Sequence, residues 1–193
     1  MSLVFRLIKY LAITISILFV IQIVRCTLSG EAYLPEGYYS AAKDYAPKVN
    51  KHDRETLEKL LMEIKLPPYK RNVFDCTEAS SFVEWYLEGA GFHTFIACSL
   101  SIHHAWVIVE LDNHERVAIE ATMLTENNYN PPGIIDNSNT YYYFPPKLYE
   151  NPGQMISFVN SVKYPGNVKY SKSEIDWWNS EPFASMEPFK NWD

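Results

Sequence analysis

The longest apolar run lies at the amino terminus, where Leu11–Val24 carries no charged residue, with Arg6 and Lys9 ahead of it and Arg25 directly after. If Lys9 snorkels, Leu7–Val24 reaches the roughly 18 residues expected of a spanning helix. Residues 1–26 therefore read as a transmembrane anchor or a signal sequence. The absence of an A-x-A cleavage pattern favours an uncleaved, single-pass anchor, with secretion after signal cleavage as the alternative. Either way the remaining chain is expected outside the cytoplasm. Residues 27–52 read as a juxtamembrane linker, with turn signals at Pro35-Glu36-Gly37. Residues 53–193 read as one domain.

Inside that domain the pattern first follows helical periods. Leu57, Leu60, Leu61 and Ile64 recur at i, i+3, i+4 and i+7, so a helix capped by Asp53 should bury one stripe before Pro67-Pro68 stops it. The segment "DCTEASSFVEWYLEGAG" predicts the next helix. Asp75 is its N-cap and Glu78 stands at N3, a capping-box pattern, so Cys76 is the first helical residue. Ala79, Ser80, Val83, Leu87 and Ala90 share a face with Cys76, which turns the thiol inward. Gly89 or Gly91 offers a left-handed C-cap.

The period then changes to strands. "FHTFIACSL" (92–100), "HHAWVIVEL" (103–111) and "RVAIEAT" (116–122) are rich in β-branched and aromatic residues, and "DNHE" between the last two reads as a hairpin turn. Val107, Val109 and Leu111 face one way, Trp106 and Ile108 the other, so the sheet is expected to be covered on both faces. Residues 123–150 read as loop. Further helices are expected at 153–163 and 173–179, with an aromatic tail packed on the domain.

Composition narrows the function. The 193 residues are 47% hydrophobic and 15% aromatic, enough for a real core, and the net charge of −6 with no Lys/Arg-rich block excludes a nucleic-acid partner. Cys76 and Cys98 are the domain's cysteines, too few for a disulfide framework. Cys76, Cys98, His103 and His104 fit no closed zinc pattern.

Cys76 instead invites comparison with a thiol nucleophile. Unpaired N–H groups and the dipole at a helix N-terminus stabilise a thiolate. His104, opening the "HAWVIV" strand, is the candidate base, and Glu120 on the paired strand is the candidate group to orient it. The bland alternatives are a core cysteine, a buried histidine and a strand-end charge.

Taken in order, "DCTEASSFVEWYLEGAGFHTFIA", "HHAWVIVEL" and "VAIEAT" resemble the transglutaminase-like cysteine protease superfamily, over roughly residues 70–125. That resemblance implies an α+β, papain-like core in which a central helix carrying the cysteine packs on an antiparallel sheet. It implies Cys76 as nucleophile, His104 as general base, Glu120 as the orienting acid and Thr122 as the threonine of the third motif. Glu120 departs from the family's aspartate. The resemblance also implies an oxyanion hole made of the cysteine's own N–H and an upstream donor, with Tyr69 and Asn72 as candidates. No metal or organic cofactor is implied. The expected activity is cleavage, less readily transfer, of peptide or isopeptide amides through a thioester, on a peptide or protein substrate at the cell surface. A non-catalytic binding or scaffold module on the same fold is the rival expectation.

Overall fold

The computed structural model describes residues 34–135, 140–145, 147–162, 174–186 and 189–192. The membrane helix expected over 1–26 lies outside the described residues. Among the described residues no helix is long and apolar enough to cross a membrane. The longest has fifteen residues and carries Glu78, Glu84 and Glu88. Fifteen residues rise roughly 23 Å, short of a hydrocarbon core of about 30 Å. The expected fold class, with its membrane helix, and the expected membrane-anchored or secreted localisation are corrected accordingly. The described architecture is α+β, built on a four-stranded antiparallel sheet.

Three helices come first: α1 (Tyr38–Tyr45), α2 (Arg54–Glu63) and α3 (Cys76–Ala90). The sheet follows in the order β1 (His93–Ser99), β2 (His104–Glu110), β3 (Arg116–Ile119) and β4 (Ile134–Ile135), all antiparallel neighbours. A single turn, α4 (Thr140–Tyr143), precedes α5 (Pro152–Ser161), and short 3-10 turns end the chain.

Helix α2 forms where its periodicity places it. The Asp53 side chain accepts from Thr56 N–H, and Leu57, Leu60 and Leu61 are buried. Helix α1 occupies the segment that reads as linker. Its signal is weak, because only Tyr38 and Ala42 of its eight residues are buried. Packing against α3 stabilises it instead. Gly89 of α3 meets α1 so closely that a Cβ there would lie 2.2 Å from the Ala42 carbonyl oxygen, so only glycine permits this approach.

Helix α3 is the axis of the molecule. Only Thr77 and Glu88 among its residues escape full burial. The sequence pattern shows one inward face; the structure covers every side, as expected of a helix at the centre of a core. The sheet lies on one flank, through Ala105, Val107 and Val109. Opposite, the carboxy-terminal aromatic segment closes over Phe82 and Trp85. Trp177 sits 4.8 Å from the Trp85 ring and 4.9 Å from the Phe82 ring, centroid to centroid. The aromatic tail therefore completes the main core. Trp106, Ile108, Phe95 and Ala118 form a smaller core on the other face of the sheet, covered by Tyr143, Phe144 and Leu148. The segment 140–148, a loop by its composition, supplies that cover.

Candidate functional site

The capping box that defines the start of α3 also places Cys76. The Asp75 carboxylate accepts from Thr77 N–H at 3.0 Å, and Glu78 accepts from Asp75 N–H at 2.8 Å. Cys76 is therefore locked as the first residue of a long helix, where free N–H groups favour negative charge. Burial pushes Glu78 up to about 8. At neutral pH this carboxyl holds its proton and adds little negative charge beneath the thiol. Cys76 itself is only 8% exposed. Cys76 and Cys98 are both free thiols.

His104 arrives from the β1–β2 hairpin, paired with Ser99 at the mouth of the sheet. His103 before it adopts a left-handed backbone with φ 50° in the hairpin turn and stays exposed. The two histidines are thus separated by backbone geometry, and His104 alone enters the strand. Trp106 lies two residues on, on the same face. Its ring stacks on His104 with centroids 5.8 Å apart and planes at 29°. Its indole N–H donates to the Tyr143 carbonyl at 2.8 Å. The H-x-W spacing therefore supplies a wall that fixes the imidazole.

The His104 ring joins two partners. Its Nε2 lies 2.6 Å from Glu120 Oε2, and the Cys76 thiol lines the same cleft as the ring. Cys76 first, and the Glu120 bond next, push His104 up to about 10 against the opposing effect of burial. Imidazolium is the favoured form at neutral pH.

Glu120 follows the last residue of β3. The β2–β3 register runs Val107 to Ile119. Continued by one residue, it sets Glu120 across from Trp106, two pairs short of position 122, which would face His104. The carboxylate must therefore reach diagonally, a span of about 7–8 Å between backbones, and glutamate's extra methylene supplies the length. Thr122 holds the far oxygen: its hydroxyl donates to Glu120 Oε1 at 2.6 Å and its N–H at 3.3 Å. Burial works to raise the Glu120 carboxyl, but the His104 and Thr122 bonds prevail and leave it below the usual range. Glu120 N–H donates to the Gly133 carbonyl at 2.8 Å. Gly133 has φ 69°, and a Cβ there would lie 2.9 Å from the Glu120 carbonyl oxygen, so a side chain at 133 would push this support away. The Tyr143 hydroxyl donates to Glu120 Oε2 at 3.4 Å. The tyrosine run at 141–143 was the only trace of this contact in the sequence.

Tyr69 and Asn72 flank the thiol on the loop before α3. Tyr69 N–H donates to Asn127 Oδ1 at 2.7 Å and its carbonyl accepts from Asn127 Nδ2 at 3.1 Å. Its backbone is therefore committed, and only the phenol remains to face a reacting group. Burial, then charge on Cys76, raises that phenol, which places it within electrostatic reach of the sulfur. Asn72 has a left-handed backbone, φ 60°, and its N–H donates to Asp75 Oδ2 at 3.1 Å. Its main chain thus serves the cap, and its side-chain amide is exposed.

Cys76 and His104 open onto a cleft of about 50 Å3. Its far wall comes from α5, a helix outside the motif region and missed as a site element by sequence reasoning. Among the described residues no cluster of three or more His, Cys, Asp or Glu side chains is placed to hold a metal ion.

Fold and site together define an α+β domain whose central helix presents a buried thiol to a histidine–glutamate pair. No protein-family profile and no solved structure matches the chain. Over 170 residues the chain is 36% identical to the uncharacterized protein MJ0834 of Methanocaldococcus jannaschii, in an alignment covering 79% of this chain and 68% of that protein. The chain belongs to the family of that archaeal protein.

Proposed function

We propose that the chain is a cysteine-dependent amide hydrolase of the transglutaminase-like type, acting on peptide or isopeptide bonds. One observation carries the reading: Cys76 and His104 share one cleft, and His104 is held by the Glu120 carboxylate, itself held by Thr122. A core cysteine has no use for a base that is itself held by a buried carboxylate. Nucleophile, base and orienting group in this order are the parts of thiol catalysis.

In this reaction the Cys76 thiolate attacks the amide carbonyl carbon, forming a C–S bond and a tetrahedral oxyanion. The donors to that oxygen are Cys76 N–H and an upstream group, with Tyr69 and Asn72 as the candidates. The His104 imidazolium gives its Nδ1 proton to the leaving nitrogen as the C–N bond breaks, and a thioester remains. Neutral His104 then takes a proton from water, which attacks the thioester. The carboxylic acid leaves and the thiolate–imidazolium pair returns. Glu120 holds Nε2–H throughout, keeping Nδ1 aimed at sulfur.

The test is the rate of iodoacetamide labelling of Cys76 in the full chain at pH 6, read by peptide mass spectrometry, with His104→Ala beside it. Fast labelling that collapses in the variant is expected. Slow labelling in both proteins, rising only above pH 8, would mean an ordinary thiol and end the proposal.

A further inference from the structure

We infer that the cleft beside Cys76 is a specificity pocket for an aliphatic side chain next to the scissile amide. This rests on the thiol-hydrolase reading and names the substrate class it leaves open. The cleft runs from Cys76 and His104 along the end of the β1–β2 hairpin to α5. Cys98, Leu100, Ala105, Met155, Ile156 and Val159 make up most of its lining, with Thr77, Ser99 and His103 as further polar groups; no Asp, Glu, Lys or Arg side chain lines it, although the chain carries 23 acidic and 17 basic residues. A cationic substrate side chain would find no carboxylate there. An anionic one would find only the His103 and His104 rings at one end, with the rest of the wall apolar. Away from that end either charge would be desolvated without a partner.

Size points the same way. Ligand pockets commonly span about 300–1,000 Å3; this one, at about 50 Å3, takes one small side chain rather than an extended ligand. Its wall is held firmly. Asn151 caps α5 by accepting from Gln154 N–H at 2.9 Å. Tyr149 pairs with Ile96 on the free edge of β1, with N–H to carbonyl distances of 2.8 and 2.9 Å. Met155, Ile156 and Val159 are 2%, 2% and 5% exposed, so the pocket floor is set by packed side chains. Burial pushes the Cys98 thiol up, against its bond to Tyr149 and the charge of Lys147. Cys98 therefore serves as a neutral apolar lining group.

The experiment uses chloromethyl ketones of N-acetyl-leucine, N-acetyl-glutamate and N-acetyl-lysine on the full chain. Each alkylates by forming the Cys76 S–C bond as chloride leaves. Every rate is divided by the iodoacetamide rate of the same protein, since iodoacetamide carries no side chain. The leucine probe is expected to label Cys76 at least about tenfold faster than either charged probe. Leu100→Lys, at a partly exposed position on the rim, should erase that preference and favour the glutamate probe. Val159→Ala, which widens the pocket, should shift preference toward a phenylalanine probe. Equal normalised rates for the three probes, or a preference untouched by both variants, would overturn the pocket while fast iodoacetamide labelling leaves the hydrolase reading standing. Slow iodoacetamide labelling indifferent to His104→Ala would overturn both.

Discussion

Exchange of Glu120 for glutamine is the sharpest probe of the site, because it keeps the shape and removes only the charge. Two donors, Thr122 N–H and Thr122 O–H, already fix Oε1 as an acceptor. The glutamine carbonyl will therefore stay on the Thr122 side, and its NH2 will face His104 Nε2. An NH2 group cannot accept from Nε2–H, so Nε2 must become the acceptor and the imidazole proton moves to Nδ1, against sulfur. His104 then has no lone pair for the thiol. A hydrogen bond to a charged partner contributes about 1.5–3 kcal/mol, so its loss lowers the His104 midpoint by roughly one to two pH units from about 10. The same loss shifts the thiolate–imidazolium pair toward the neutral pair, slowing iodoacetamide labelling about ten- to a hundredfold. In Ser-His-Asp triads this carboxylate-to-amide exchange costs about 10^4-fold in kcat for the same tautomeric reason. The assay is nitrogen NMR of the imidazole, assigned with His104→Asn and titrated from pH 5 to 11, with labelling rates measured in parallel. A glutamine variant with an unmoved His104 midpoint, protonated Nε2 and labelling as fast as the parent would refute the reasoning.

Three other outcomes follow from the packing and the charges. Gly89→Ala puts a Cβ 2.2 Å from the Ala42 carbonyl oxygen; the backbones must part, at a cost of about 1–3 kcal/mol, and the thermal midpoint should fall, whereas an unchanged midpoint would refute the close approach. Trp177→Ala empties a fully buried site between Phe82, Trp85 and Phe189, so urea denaturation should show a loss of about 3–5 kcal/mol, while Met62→Ala at an exposed position should stay within about 0.5 kcal/mol of the parent. His104 is raised in the folded chain to about 10, from roughly 6.5 when unfolded. Its contribution to stability is complete below pH 6.5 and disappears as pH rises through about 10. The stability difference between the parent and His104→Asn should shrink over that window, and a difference that grows would contradict the assignment.

The sequence alone determined the local parts of this protein. Caps and periodicity are short-range, and they wrote α2, α3 and the β1–β2–β3 order plainly. The Asp75–Glu78 capping box placed Cys76 at N1, and His104 read as the residue that opens the second strand. The membrane helix read into 1–26 lies outside the described residues, among which no helix is long and apolar enough to cross a membrane. Tertiary structure decided the rest. Helix α1 exists through its contact with Gly89, which no pattern within 38–45 announces. Glu120 reaches His104 on a diagonal that only the β2–β3 register reveals. Tyr143 and the α5 wall come to the site from segments 23 and more residues away from Glu120. Such contacts depend on chain closure around a shared core, and local residue preferences carry no record of which distant segment will complete a surface.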